Sequence, residues 1–152
     1  MTRRSLYSIL LIAAVAMTAT SALACTCTNT PTPASEFALH DSVFTGRVQS
    51  IHTIDAFNIA VQIQVYSVWK GPVSVQIVVT TAPDGAMCGA SFVVGEEYLV
   101  YGGIAAGDMV FTHLCTRTRP MTHAQEDLLY LGTPSTVAAG NLDWGMLKES
   151  YR

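Results

Sequence analysis

Ala22-Leu23-Ala24 closes an apolar leader with the small-x-small pattern of a signal-peptidase site, and the next residues are Cys25, Thr26 and Cys27. Processing after Ala24 leaves Cys25 with a free α-amine beside its own carbonyl. Cys88 and Cys115 lie far along the chain and are available to tie that terminus to a folded body. A terminal amine and carbonyl held rigidly form a metal-chelating pair. A terminus that merely starts near a disulfide does nothing, and the two readings have to be told apart by geometry.

Arg3 and Arg4 precede the apolar run from Leu6 to Met17, which is shorter than the roughly 20 residues a membrane-spanning helix needs. Residues 1–24 therefore read as a signal peptide, residues 25–132 as one domain, and residues 133–152 as a C-terminal tail with only Leu142, Trp144 and Leu147 to bury. Thr2-Arg3-Arg4-Ser5-Leu6 also resembles a twin-arginine signal, but the strongly apolar run and the need for oxidation favour ordinary unfolded export. The mature protein is expected outside the cytosol, secreted or periplasmic, with no stable membrane span. A formal net charge of −3 without a basic stripe argues against nucleic acid and against membrane surfaces.

The four cysteines in an exported domain read as two disulfides, for which the sequence alone leaves three pairings open. Cys-x-Cys with two distant single cysteines is not the spacing of a structural zinc site. Lipid attachment at Cys25 would leave an odd number of thiols, and Ala22-Leu23-Ala24 lacks the leucine three residues before the cysteine that a lipobox carries.

Alternation of apolar and polar residues marks the strands. Val43 to Ile51 reads as a strand with Gly46 suggesting a bulge. Ile59, Val61, Ile63 and Val65 form one face of a second, and Val73, Val75, Ile77 and Val79 one face of a third. Tyr98 to Tyr101 and Met109 to Cys115 supply two more, joined by a glycine-rich turn. Helical spacing appears at Ala34 to His40, with Thr32 or Ser35 as cap, and at Met121 to Leu131, where Ala124, Leu128 and Leu131 face one way and Gln125, Glu126 and Asp127 largely do not. The expected fold is mainly β: a five-stranded OB-fold barrel with two short flanking helices, stapled by disulfides, with a sandwich as the alternative.

Catalytic side chains are sparse. His40, His52, His113 and His123 lack the i, i+4 spacing of a zinc pair, and Ser91 lacks the closing glycine of a nucleophile elbow. Cys25-Thr26-Cys27 is not the two-residue spacing of a thioredoxin-type site, and Glu96 and Glu97 point to opposite faces of a strand. No enzyme and no cofactor is expected.

An ordered set of short motifs carries a resemblance. Cys25-Thr26-Cys27, Val43-Phe44, Trp69-Lys70-Gly71-Pro72, Thr81-Ala82-Pro83, Met87-Cys88-Gly89, Val94-Gly95, Glu97-Tyr98-Leu99, Gly107-Asp108 and Leu114-Cys115 run in order over Cys25 to Cys115. In this the chain resembles the N-terminal, netrin-like domain of the tissue inhibitors of metalloproteinases. The resemblance implies an OB-fold over residues 25–132 and the pairings Cys25 to Cys88 and Cys27 to Cys115. It also implies a monomer whose partner is a zinc metalloproteinase. On that reading the amine and carbonyl of Cys25 bind the target's zinc, Thr26 enters the specificity pocket, and Cys27, Thr28, Ala86, Met87 and Cys88 flank the cleft. The zinc belongs to the target, and the chain has no metal site of its own. The family's third disulfide and second domain have no counterpart here, and the connection Thr53 to Phe57 is short. The alternative the resemblance leaves is a netrin-like binding module without inhibitory activity.

Overall fold

The computed structural model describes residues 25–27, 31–105, 109–134 and the backbone of 136–137. Thr28, residues 1–24, expected to be a signal peptide, and most of 133–152, expected to be a tail, lie outside the described residues.

Strands β1 (Ser42–Thr53), β2 (Ile59–Lys70), β3 (Gln76–Thr81), β4 (Glu97–Ile104) and β5 (Val110–Phe111) close into a barrel. The neighbours run β1-β2-β3-β5-β4 and return from β4 to β1, with β3 and β5 parallel and the other pairs antiparallel. This is the disulfide-stapled, OB-like barrel expected, with helices α1 (Pro33–Leu39) and α2 (Gln125–Leu131) beside it. Arg119–Pro120 form a short β6 on β4, and Thr136–Val137 form β7 against Ser67 and Val68 of β2.

Closure follows from the residue pattern. Phe44, Val48, Val61, Ile63, Val65, Val79, Val100 and Val110 point inward into one apolar cluster. The register of β1 on β2 slips between Thr45 and Gly46. A Cβ on Gly46 would collide with the carbonyl of Gln64, so the bend needs glycine there. Outside the barrel, Val43, Leu99 and Tyr101 pack with Ala124, Phe37 and Leu128 of the helical layer. β1 and β4 are therefore covered on both faces, which explains the continuous burial of Ser42 to Gly46 and of Tyr98 to Gly102 beside the alternating burial in β2 and β3.

Four expectations shift. The third strand begins at Gln76, not Val73, and Val73 and Val75 are exposed after Pro72. The fifth stops at Phe111 instead of running to Cys115. Beyond it the hydroxyls and imidazole bond locally: Cys115 N–H donates to His113 Nδ1, Thr116 Oγ1 to the His113 carbonyl and Thr118 N–H to Thr116 Oγ1. Such bonds compete with a ladder and turn the chain. The second helix is preceded by a separate 3-10 turn at Met121–His123. On it Asp127 is fully buried, not turned away from the packed face.

Candidate functional site

The segment Cys25–Cys27 lies across two loops at one side of the barrel. Cys25 is bonded to Cys88 and Cys27 to Cys115, with Cα–Cα separations of 5.5 and 5.4 Å. These are the pairings the resemblance implied. They enclose sequence separations of 63 and 88 residues, and chain-entropy reasoning assigns such loops roughly 4 kcal/mol each.

The Cys88 loop is a shaped support. Asp84 Oδ1 accepts from Met87 N–H at 3.0 Å and caps a 3-10 turn over Gly85–Met87. Cys88 then takes a left-handed conformation (φ 65°), and Gly89 N–H returns to the Asp84 carbonyl at 2.8 Å. A Cβ on Gly89 would sit 2.9 Å from that carbonyl oxygen and closer still to that of Ala82, so only glycine fits this return. Cys25 Sγ lies 3.6 Å from the Ala86 carbonyl oxygen. Leu114 N–H donates to the Cys88 carbonyl at 2.8 Å, tying the loop bearing Cys88 to the loop bearing Cys115.

The result is an exposed ridge. Cys25 is half-buried, and Thr26, Cys27, Ala86, Met87 and Cys88 are exposed. Leu114 stands among them, 45% exposed, and joins the ridge through its backbone bond to Cys88. The structure thus brings together every expected site residue except Thr28, which lies outside the described residues. Among the described residues no group of three or more His, Cys, Asp or Glu converges as a metal site. No described helix is long and apolar enough to cross a membrane.

Behind the ridge is a buried polar cluster that sequence reading missed. Arg117, two residues past Cys115, donates through Nε to Asp127 Oδ1 at 2.6 Å and through Nη2 to Asp127 Oδ2 at 2.8 Å and Glu126 Oε2 at 2.6 Å. Its Nη1 donates to the Pro31 carbonyl at 2.8 Å, and its backbone N–H to Glu36 Oε2 at 3.2 Å. The disulfide at Cys115 and the guanidinium at Arg117 therefore fasten the chain at Cys27 and again at Pro31. Hydrogen bonding to Asp127 holds the guanidinium above its ordinary pKa, against the cost of burial. Tyr101 Oη donates to Asp127 Oδ1 at 3.1 Å. Burial, then the charge of Asp127, raises the pKa of that phenol. The only signal for this cluster in the sequence is Arg117 close behind a cysteine and the pair Glu126-Asp127 opening a helix.

The flanking helix is set locally. Thr32 Oγ1 accepts from Ser35 N–H at 3.1 Å and Ser35 Oγ from Thr32 N–H at 2.9 Å, a reciprocal cap ahead of Pro33. His40 Nε2 meets Glu36 Oε2 at 2.9 Å. His40 is thus a hydrogen-bonded histidine and not one of a zinc pair among the described residues. Glu97 pairs with exposed Arg47, while Glu96 accepts from Tyr98 Oη.

Against protein-family models the chain matches none, and no curated protein aligns with it significantly.

Proposed function

We propose that the mature protein is an exported inhibitor of zinc metalloproteinases that chelates the target's zinc through the α-amine and carbonyl of Cys25. The observation that carries this reading is the double anchoring of an exposed Cys25–Cys27 segment to two hydrogen-bonded loops. A chelating terminus has to be presented in one orientation, and two disulfides two residues apart remove its freedom before binding. The ordered resemblance to the tissue inhibitors of metalloproteinases supports the same assignment. Catalytic zinc sites keep one position for water or substrate, and an amine delivered there displaces the nucleophile. Thr26 fills the adjacent pocket, and Met87 and Ala86 flank it.

The test is a titration of a panel of zinc endopeptidases with two forms of the protein, one beginning at Cys25 and one carrying an extra alanine before it. The native form should inhibit and the extended form should not, with equal unfolding temperatures. A coordinating amine is neutral, and free α-amines titrate near ~7.7–8.0, so inhibition should weaken as the pH falls below that region. Equal potency of the two forms refutes chelation by Cys25. Silence of the native form across the panel favours a netrin-like binding module instead.

A further inference from the structure

We infer that the cleft between the Cys25–Cys27 segment and helix α1 is a second recognition site, which takes the side chain of an arginine or lysine presented by a protein partner. The inference rests on the ridge meeting a protein, and not on zinc being bound. The cleft has a volume of about 680 Å³, with Thr26 and Cys27 on one wall, Glu36 and Leu39 of α1 and the following His40 on another, and His113 from the loop after β5.

Among the described residues Glu36 is the one carboxylate that lines it, and no lysine or arginine does. The residue is 6% exposed, and its Oε2 accepts from His40 Nε2 and from Arg117 N–H. Among the described residues Oε1 accepts no hydrogen bond. One oxygen is thus fixed by two partners while the other is left for a ligand, so the carboxylate is oriented before anything binds. The guanidinium that could neutralise it is committed elsewhere: Arg117 pairs with Asp127 and Glu126, and Arg119 lies 3.8 Å from Asp127. Counting carboxylates against guanidiniums, Glu36, Glu126 and Asp127 exceed Arg117 and Arg119 by one negative charge.

A buried carboxylate with a vacant oxygen at a cleft wall favours a cationic donor. A charge-assisted bond there is shorter and about twice as strong as a neutral one, and the low local dielectric adds to it. An uncharged side chain of the same shape gains only the neutral part. Thr26 lines the cleft and belongs to the ridge, so a partner chain seated on the ridge passes beside Glu36.

The experiment titrates the intact mature protein with N-acetylarginine amide, N-acetyllysine amide and the neutral isostere N-acetylcitrulline amide, following backbone amide resonances. The two cationic probes should shift Thr26, residues 35–40 and His113, with citrulline at least tenfold weaker. Glu36→Gln keeps an oxygen for His40 and Arg117 but removes the charge, and should weaken arginine binding tenfold or more. Because Glu36→Gln also touches the polar cluster, Leu39→Trp supplies an independent block: Leu39 is 72% exposed on the cleft wall, and the indole narrows the cleft without altering Glu36. Equal affinity for arginine and citrulline probes, shifts located elsewhere, or no shift with any probe would overturn the assignment. The readout is the cleft's own resonances, so failure here and failure to inhibit a zinc endopeptidase are separate results.

Discussion

Inside the barrel, Val48, Val61, Ile63, Val65, Val79 and Val100 are buried in one apolar cluster, whereas behind the N-terminal segment Arg117, Asp127, Tyr101 and Glu36 are buried to a similar depth and held by hydrogen bonds. The two regions answer to different physics. Apolar packing is non-directional and accepts another side chain of similar volume, so it secures the barrel without dictating where a particular atom lies. A buried guanidinium–carboxylate pair is directional, and loss of one partner strands the other. The region behind the Cys25–Cys27 segment uses the directional kind, in addition to the two disulfides.

The sharpest way to break this comparison is Asp127→Ala. It leaves Arg117 buried without its bidentate partner, and removal of one member of a buried pair costs about 3–5 kcal/mol. Urea unfolding should show that loss, and, if the proposed inhibition holds, it should fall as well because Arg117 no longer holds the Pro31 carbonyl in place. A loss under 1 kcal/mol would mean that water or Glu126 replaces the pair.

Raising the pH works on the same cluster more gradually. Burial and the charge of Asp127 raise the folded-state pKa of Tyr101 above its unfolded value. The neutral phenol is the form the fold favours, so its contribution is complete below the unfolded pKa of about 10 and is lost as the pH rises through the folded value. Unfolding free energy should therefore decline above about pH 10, and Tyr101→Phe should flatten that decline. Tyr98, raised chiefly by burial, should leave a residual slope.

Inside the barrel the expected effects are smaller. Ile63→Val removes one methylene from a fully buried side chain, and such changes cost about 0.5–1.5 kcal/mol. Stability should drop by that amount while the proposed inhibition is unchanged, which a paired unfolding and inhibition measurement checks. The smallest effect belongs to the surface: Arg47→Ala breaks an exposed pair with Glu97 that solvent screens, so the unfolding midpoint should barely move. A larger loss at Arg47 would place directional control in the barrel wall as well.

Much of the barrel could be read directly from the chain. Period-two patterning over Ile59 to Val65 names the inward face of β2, because successive side chains of a strand must point to opposite sides. Gly46 marks the bend because no Cβ fits there, and Thr32-Pro33 with Ser35 marks a helix start because these groups satisfy its free N–H groups. The pairings Cys25 to Cys88 and Cys27 to Cys115 were reachable only through resemblance, since spacing alone leaves three arrangements open. Other features were decided by the tertiary structure. Met109 to Cys115 reads as one strand, yet after Phe111 the chain turns, as Leu114 bonds to Cys88 and Cys115 reaches Cys27. Asp127 reads as a solvent residue on the polar side of α2, yet Arg117 and Tyr101 meet it from elsewhere in the chain. Strand periodicity and capping depend on neighbours in sequence and are therefore visible in it. The partner of a buried charge, and the orientation of Glu36 in the cleft, depend on groups as far apart as Pro31 and Arg117, which only the folded chain brings within bonding distance.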